Sequence, residues 1–158
     1  RLPLISQPVR SRMKSLIKLI RGAWGWAGAD PEEIVATNAF GNIIFRDNQG
    51  RYWRLCPEDV YCEIIADSLE DYEKLLRDNE FIEDWEMEAL VKTAFRVVGS
   101  LEPDRVYCLK IPGILGGAYD ETNIASAPIS ELVTFSGDLA FHIKDLPDGA
   151  QIKLEVGD

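Results

Sequence analysis

The first hydrophobic rhythm along the chain has helical period. Leu16, Ile17, Leu19 and Ile20 follow Met13 and stop at Gly22, which predicts a helix of two to three turns with a glycine stop. Trp24-Gly-Trp-Ala-Gly28 then reads as an aromatic connector. Asp30-Pro31-Glu32-Glu33 predicts a second helix start, with Asp30 as cap, Pro31 in the first turn and acids on the positive dipole end. From Asn42 the composition becomes β-rich. Asn42–Phe45 and Arg51–Leu55 flank the turn Asp47-Asn48-Gln49-Gly50 and predict a hairpin. After the turn at Pro57-Glu58-Asp59, Val60–Ile65 supplies a third strand of a meander.

Helical period returns at Ser68, a cap for a stripe of Leu69, Tyr72, Leu75 and Leu76. One longer helix is predicted from Phe81 to Val98, with Phe81, Trp85, Leu90, Ala94 and Val98 inward and Gly99 and Pro103 beyond its end. Arg105–Ile111 predicts a strand closed by Pro112, Gly113–Tyr119 a glycine-rich loop, and Pro128–Lys144 a helix. Leu146-Pro147-Asp148-Gly149 is a turn, and Gln151–Val156 alternates as a final strand. Strands and helices come in groups without βαβ alternation. The expected class is therefore α+β, with a mixed or antiparallel sheet (an N-terminal meander plus C-terminal strands) packed against several helices. The chain divides into a basic extension and helix at 1–22, an α+β part at 23–78 and a C-terminal part at 79–158 that forms one unit with the part before it.

Composition narrows the function. The 158 residues are 46% apolar and 28% charged, as in globular domains. Apolar runs break within about ten residues, short of the roughly 20 that a spanning helix needs. No segment has the pattern of a signal peptide, and residues 1–12, before Met13, read as a leader, an upstream extension or the tail of a further domain. Cys56, Cys62 and Cys108 sit among apolar neighbours and are expected to be reduced, buried thiols of a cytoplasmic protein. The formal net charge of −10 disfavours direct nucleic-acid or membrane binding and favours basic proteins as partners. Charge is also segregated. Residues 1–22 carry six basic side chains and no acid, whereas residues 55–92 carry thirteen acids and three basic residues.

A reaction centre is hard to find. One histidine and three dispersed cysteines do not make a metal site. His142 lies in Ala-Phe-His-Ile, where a packed or half-exposed ring is expected rather than a general base. The carboxylates crowd along solvated helices rather than in an apolar pocket, so no catalytic pair stands out. Gly113-Ile-Leu-Gly116-Gly117 lacks phosphate-loop spacing, and its glycines read as structural. No catalytic residue, metal or cofactor is expected. The ten carboxylates from Asp67 to Glu88 then either solvate the surface or form an anionic face for a cationic partner. Glu80, Glu83, Asp84, Glu86 and Glu88 follow one another on the single predicted helix and its cap.

Ile111-Pro112-x-x-Leu115-Gly116-Gly117-x-Tyr119, then Asn123, then Leu146-Pro147-Asp148-Gly149 and a terminal strand, resemble the C-terminal domain of type VI secretion immunity proteins that neutralise DNase toxins. The resemblance covers roughly residues 80–156. Trp24 to about Leu76, with Gly50-x-x-Trp53 and Pro57-Glu58-Asp59, is similar to the GAD-like domain that often precedes it, in shortened form. The resemblance implies a bacterial, cytoplasmic, non-enzymatic protein that occludes a cognate toxin, expected to be a basic nuclease. The implied docking residues are Asp71, Glu80, Glu83, Asp84, Trp85, Glu86, Glu88 and Tyr119, with Trp53 and Tyr72 as further aromatic candidates. Gly116, Gly117, Pro147 and Gly149 are implied to shape loops. The alternatives are a small-ligand-binding or regulatory scaffold built around the Gly116-Gly117 loop, and an enzyme using acidic pairs with a divalent ion.

Overall fold

In the computed structural model of the protein, residues 7–147 are described, with side chains from Ser11 onward. The first helix, α1 (Gln7–Trp24), is longer than the two to three turns expected from Met13. Leu16, Ile20 and Trp24, each four residues apart, form its buried stripe. A single 3-10 turn, Gly25–Ala27, closes on Gly28, whose φ of +92° suits a residue without a side chain.

The helix start expected at Asp30 is a strand instead, β1 (Pro31–Thr37). Pro31–Thr37, ahead of the turn at Asn38, is only seven residues, too few for a stable isolated helix. Ile34, Val35 and Thr37 favour an extended chain. Strand pairing then decides the matter, with Ile34 opposite Phe45 and Ala36 opposite Ile44. The local acids serve other ends: Asp30 pairs with Arg21 at 2.6 Å, and Glu33 pairs with Arg46 across the strands at 3.2 Å.

Strands β2 (Ile43–Asp47), β3 (Tyr52–Cys56) and β4 (Tyr61–Ala66) complete an antiparallel meander in the order β1-β2-β3-β4. Asp47 shapes the β2–β3 turn, its carboxylate accepting from the backbone of Gln49 (2.9 Å) and Arg51 (3.0 Å). Alternate side chains enter different cores. Ile43, Phe45 and Leu55 join Ile20, Trp24 and Val133, whereas Ile44 and Tyr52 join Ala66 and Tyr72 on the other face. The sheet is thus covered on both sides.

Ser68 caps α2 (Leu69–Leu75), its hydroxyl accepting from the Asp71 amide at 3.1 Å, as the sequence predicts. The single helix expected from Phe81 to Val98 is in fact two, α3 (Asn79–Glu86) and α4 (Glu88–Val98), broken at Met87 with φ +49°. Two contacts fix this elbow. Asn38 donates its amide to the Trp85 carbonyl at 2.9 Å, and Met87 packs against the cluster of Phe40, Ala94, Tyr107 and Leu109. Glu88 therefore lies on a different helix from Glu80, Glu83, Asp84 and Glu86.

A second, two-stranded sheet pairs β5 (Arg105–Leu109) with β6 (Ile124–Pro128), antiparallel. The sequence pattern does not single out β6. Ala-Ser-Ala has little strand preference, and pairing along β5 holds it extended. Helix α5 (Ile129–Ile143) agrees with the expected Pro128–Lys144 and lies on α1. At their contact a Cβ on Gly137 would come within 2.4 Å of the Ala23 carbonyl, so only glycine fits. Asp148, Gly149 and the expected strand Gln151–Val156 lie outside the described residues. The α+β class with antiparallel sheets and packed helices is borne out. Among the described residues no helix is long and apolar enough to cross a membrane.

Candidate functional site

A groove of about 490 Å³ opens between the meander and the α3–α4 elbow. Its base begins with Arg54, an ionic side chain in the middle of β3 that is only 5% exposed. The Arg54 Nε donates to Asn42 Oδ1 at 3.0 Å, and Nη1 donates to Asp84 at 2.5 Å. The guanidinium carbon lies 5.2 Å from the Trp85 ring centroid. Asn42 passes the connection on, its amide donating to both carboxylate oxygens of Glu58 at 2.9 and 2.8 Å. A relay thus runs Asp84–Arg54–Asn42–Glu58, buried from Arg54 inward, and ties α3 to the sheet.

Glu58 sits in the β3–β4 turn and is also 5% exposed. Burial pushes its carboxyl above the usual range, and the hydrogen bonds from Asn42 oppose that rise only in part. Asp59, beside it, is likewise raised, chiefly by burial and then by the negative charge of Asp84. Its carboxylate accepts from the Tyr119 hydroxyl. Gly113 makes room for that contact, since a Cβ there would lie 2.5 Å from the Tyr119 oxygen. Met87, Ala89 and Leu90 give the groove an apolar wall, and Tyr61 adds an aromatic edge.

Acids crown the groove. Glu83 and Asp84 come from α3, Glu86 from its end and Glu88 from the start of α4, so the elbow turns them around one concavity. Asp84 is paired with Arg54, and Glu88 with Lys92 at 3.0 Å. Among the described residues, Glu58, Asp59, Glu83 and Glu86 have no lysine, arginine or histidine nitrogen within 4.0 Å. The site therefore combines concavity, a hydrophobic wall and unneutralised negative charge.

Five of the eight docking residues expected from the sequence meet here: Glu83, Asp84, Glu86, Glu88 and Tyr119. Trp85 is half-buried beneath Arg54 and against the Tyr52–Tyr72 cluster, so it supports the groove from behind. Asp71 faces Lys74 on α2 at 3.9 Å, and Glu80 is exposed in the first turn of α3, neither lining the groove. Trp53 and Tyr72 are core residues. Trp53 stacks on Phe45 and donates to Asp47 at 2.9 Å, and Tyr72 stacks on Tyr52 with ring centroids 4.4 Å apart.

Two loop glycines shape the backbone. Gly116 has φ +89°, and a Cβ on Gly117 would lie 1.8 Å from the Ile111 carbonyl oxygen. Asn123 clasps the same loop, accepting from the Ile111 amide and donating to the carbonyls of Ile111 (2.8 Å) and Ala118 (2.9 Å). Pro147 is exposed beyond α5, and Gly149 lies outside the described residues.

Other chemistry is poorly supported. Cys56 and Cys62 are buried and Cys108 partly so, all unbridged. Burial pushes the Cys62 thiol up to about 12, far from a reactive thiolate. His142 is exposed, its Nδ1 2.7 Å from the Asp138 carbonyl oxygen. Among the described residues no three His, Cys, Asp or Glu side chains converge to hold a metal ion.

Sequence reasoning missed Arg54, Glu58, Asp59, Tyr61, Met87 and Leu90 as groove residues. The available signal was Arg54 itself, a charge inside an otherwise apolar strand, together with Asn42 one turn earlier.

The stretch that carries most of the rim also carries a family signature. Residues 66–140 match the family of the T6SS immunity protein Tdi1, C-terminal. The match bears out the resemblance to type VI secretion immunity proteins, and it begins further upstream than the motifs around Gly116 suggested. Within this immunity-family segment lie α3, α4 and Tyr119, whereas Arg54 and Glu58 precede it. The fold is similar to the crystal structure of Atu4351 from Agrobacterium tumefaciens, with a TM-score of 0.50 and 14% identity, over 82% of this chain and 64% of that one. The chain thus spans less than two thirds of that protein. No curated protein matches the chain.

Proposed function

We propose that the protein is an immunity protein that neutralises a cognate toxin in the cytoplasm of the cell it protects. The toxin is a basic nuclease, and inhibition is by occlusion without turnover. One observation carries this reading beyond the family match: Glu58, Asp59, Glu83 and Glu86 line one groove and, among the described residues, none of them has a lysine, arginine or histidine nitrogen within 4.0 Å. A DNase must hold phosphate and so presents positive charge around its active site. An acid-rimmed groove steers such a surface into encounter and sets its orientation, while Met87, Leu90 and Tyr119 supply apolar contact on docking. The small-ligand alternative calls for an enclosed pocket near the Gly116-Gly117 loop. The space beside Pro112 and Leu109 is about 20 Å³, room for a water and not for a metabolite, and the larger hollows at Tyr119 are open grooves.

The test begins with capture of the toxin at low salt and asks whether it cleaves DNA. Glu83→Lys, Glu86→Lys and Glu88→Lys are then combined. The triple variant is expected to keep its fold, associate roughly tenfold or more slowly, and lose most of the ionic-strength dependence of the on-rate. An unchanged on-rate and salt slope would place docking elsewhere.

A further inference from the structure

We propose that the outer edge of β4 takes up an extended basic segment of the toxin as a fifth strand of the meander. This rests on the reading above and names how the toxin is held.

Hydrogen-bond parity shows which backbone groups are open. At the β2–β3 turn the Asp47 amide donates to the Arg51 carbonyl at 2.9 Å, so Asp47 and Arg51 form a bonded pair. Bonded and non-bonded pairs alternate along antiparallel strands. Phe45 is therefore bonded to Trp53 and Ile43 to Leu55, and Tyr52, Arg54 and Cys56 turn their main chain toward β4. There Arg54 meets Glu63 and Cys56 meets Tyr61, which leaves Cys62 and Ile64 with N–H and C=O directed away from the sheet. Among the described residues no other backbone group bonds to them. Ile65 falls in a register shift, so the regular open edge is Tyr61 to Ile64.

The opposite edge, β1, is guarded. Helix α1 lies against it, Pro31 has no N–H, the Pro31 carbonyl accepts from Arg21 at 2.9 Å, and the register shifts twice. Strand β4 has neither lysine nor proline. Its successive residues Glu63 and Ile64 are exposed on opposite faces, Ile64 by 41%. An unpaired edge of this kind is a template for another strand.

Charge selects the occupant. From Leu55 to Glu73 the sequence holds seven acids and no basic residue. A second copy paired antiparallel through β4 would set the Asp59 end of one strand beside the Asp67 end of the other, and like charges across strands are destabilising. Glu63 has no lysine, arginine or histidine nitrogen within 4.0 Å among the described residues. A strand with basic residues on the Glu63 face and aliphatic ones on the Ile64 face complements both. Tyr61, at the start of the edge, also lines the groove, so the strand site continues into the acid rim. The edge is ordered in advance, because the Gly113 amide pins the preceding turn through the Glu58 carbonyl at 2.7 Å and Ser68 caps the helix beyond it.

The test uses the full chain and the peptide acetyl-Lys-Val-Lys-Val-Lys-Val-amide, with two counterparts, one carrying glutamate for lysine and one carrying proline for the central valine. Amide exchange is read by NMR at Cys62 and Ile64. Both amides are expected to exchange early in the free protein and to be protected roughly tenfold or more at saturating peptide. The basic peptide should bind roughly fivefold more tightly than either counterpart, since one lacks the charge and the other a backbone donor. Glu63→Gln, an exposed change, should weaken binding by about threefold. Ile64→Pro, which removes only an outward N–H, should abolish the protection at Cys62. Binding of the proline peptide as tight as that of its parent would overturn the proposal, as would binding that perturbs Glu83 and Glu86 and leaves Cys62 and Ile64 unprotected. Protection of both amides in the free protein, with a dimer in sedimentation, would also overturn it and make a second copy the occupant. The two readings fail separately. Toxin neutralised as well by the Ile64→Pro variant as by the parent chain removes this inference and leaves the immunity function, whereas peptide pairing without capture of any toxin does the reverse.

Discussion

Replacing Arg54 with methionine keeps the buried stem and deletes the charged head, so it isolates what the relay contributes. Three losses follow. Asn42 Oδ1 is left as a buried acceptor without its donor, which costs about 1–3 kcal/mol. The guanidinium over Trp85 contributes about 0.5–2 kcal/mol. The Asp84 pair adds less than about 1 kcal/mol, because the Asp84 side chain is 69% exposed. With the positive charge one amide away from Glu58 also removed, Arg54→Met should destabilise by about 3–5 kcal/mol at pH 7. In a chain of this length that lowers Tm by about 10 °C or more. The assay is urea unfolding followed by tryptophan fluorescence, with thermal circular dichroism alongside. A second arm tests the cause. In a Glu58→Gln background the same change should cost about 1–2 kcal/mol less, since no buried carboxylate then awaits neutralisation. The pH dependence has a definite sign. The Glu58 carboxyl is raised in the folded state, so its protonated form favours folding below about pH 4.5, and that contribution fades as pH rises through the folded value. Arg54→Met should therefore be least harmful near pH 4.5 and most harmful at neutral pH. A cost below about 1 kcal/mol, or one independent of Glu58, would refute the relay as the brace between α3 and the sheet.

Asp47 titrates in the opposite sense. Burial by itself would raise it, but hydrogen bonds from Trp53, Arg51 and Gln49 prevail and hold it at about 2, below the ordinary 3.8. The stability it contributes is present above about pH 4 and is lost as pH falls toward 2, so Asp47→Asn should remove on the order of 2 kcal/mol at pH 7 and flatten that acid limb. An unaltered slope of urea midpoint against pH between 4 and 2 would contradict it. Gly117→Ala should destabilise by about 3 kcal/mol or more, because its new Cβ meets the Ile111 carbonyl, whereas Gly116→Ala, which has only its positive φ to contend with, should cost about 1–2 kcal/mol. Thermal melts of the pair check the order, and equal melting temperatures would show that the loop yields.

Features set by neighbours in sequence were legible before any coordinates. The Asp47–Gly50 hairpin, the Ser68 cap, the glycine stop at Gly99 and α5 are all decided within a few residues. The misreadings share one cause, contacts from far along the chain. Asp30-Pro31-Glu32-Glu33 has strong helix-start chemistry, yet pairing of Pro31 with Asp47 and of Glu33 with Arg46 draws it into a strand. Met87 carries no turn signal, because the elbow is made by Asn38, 49 residues away. The acids of the rim could be found from charge alone, but which of them converge depended on that elbow. Asp71 and Glu80 belong to the same run in sequence and to other parts of the surface in space. The Arg54–Asn42–Glu58 base was harder still, since only the β2–β3 register and the β3–β4 turn bring the three together.

The groove divides into a mouth whose side chains hang in solvent and a base whose side chains are locked by one another. Changes at Glu83, Glu86 or Glu88 disturb little packing, and exposed substitutions of that kind usually alter stability by under about 0.5 kcal/mol. Changes at Arg54, Asn42 or Glu58 strike an interlocked set. A lineage confronted with an altered adversary can thus swap acids at the entrance one at a time and remain folded throughout, while the chamber behind stays as it was.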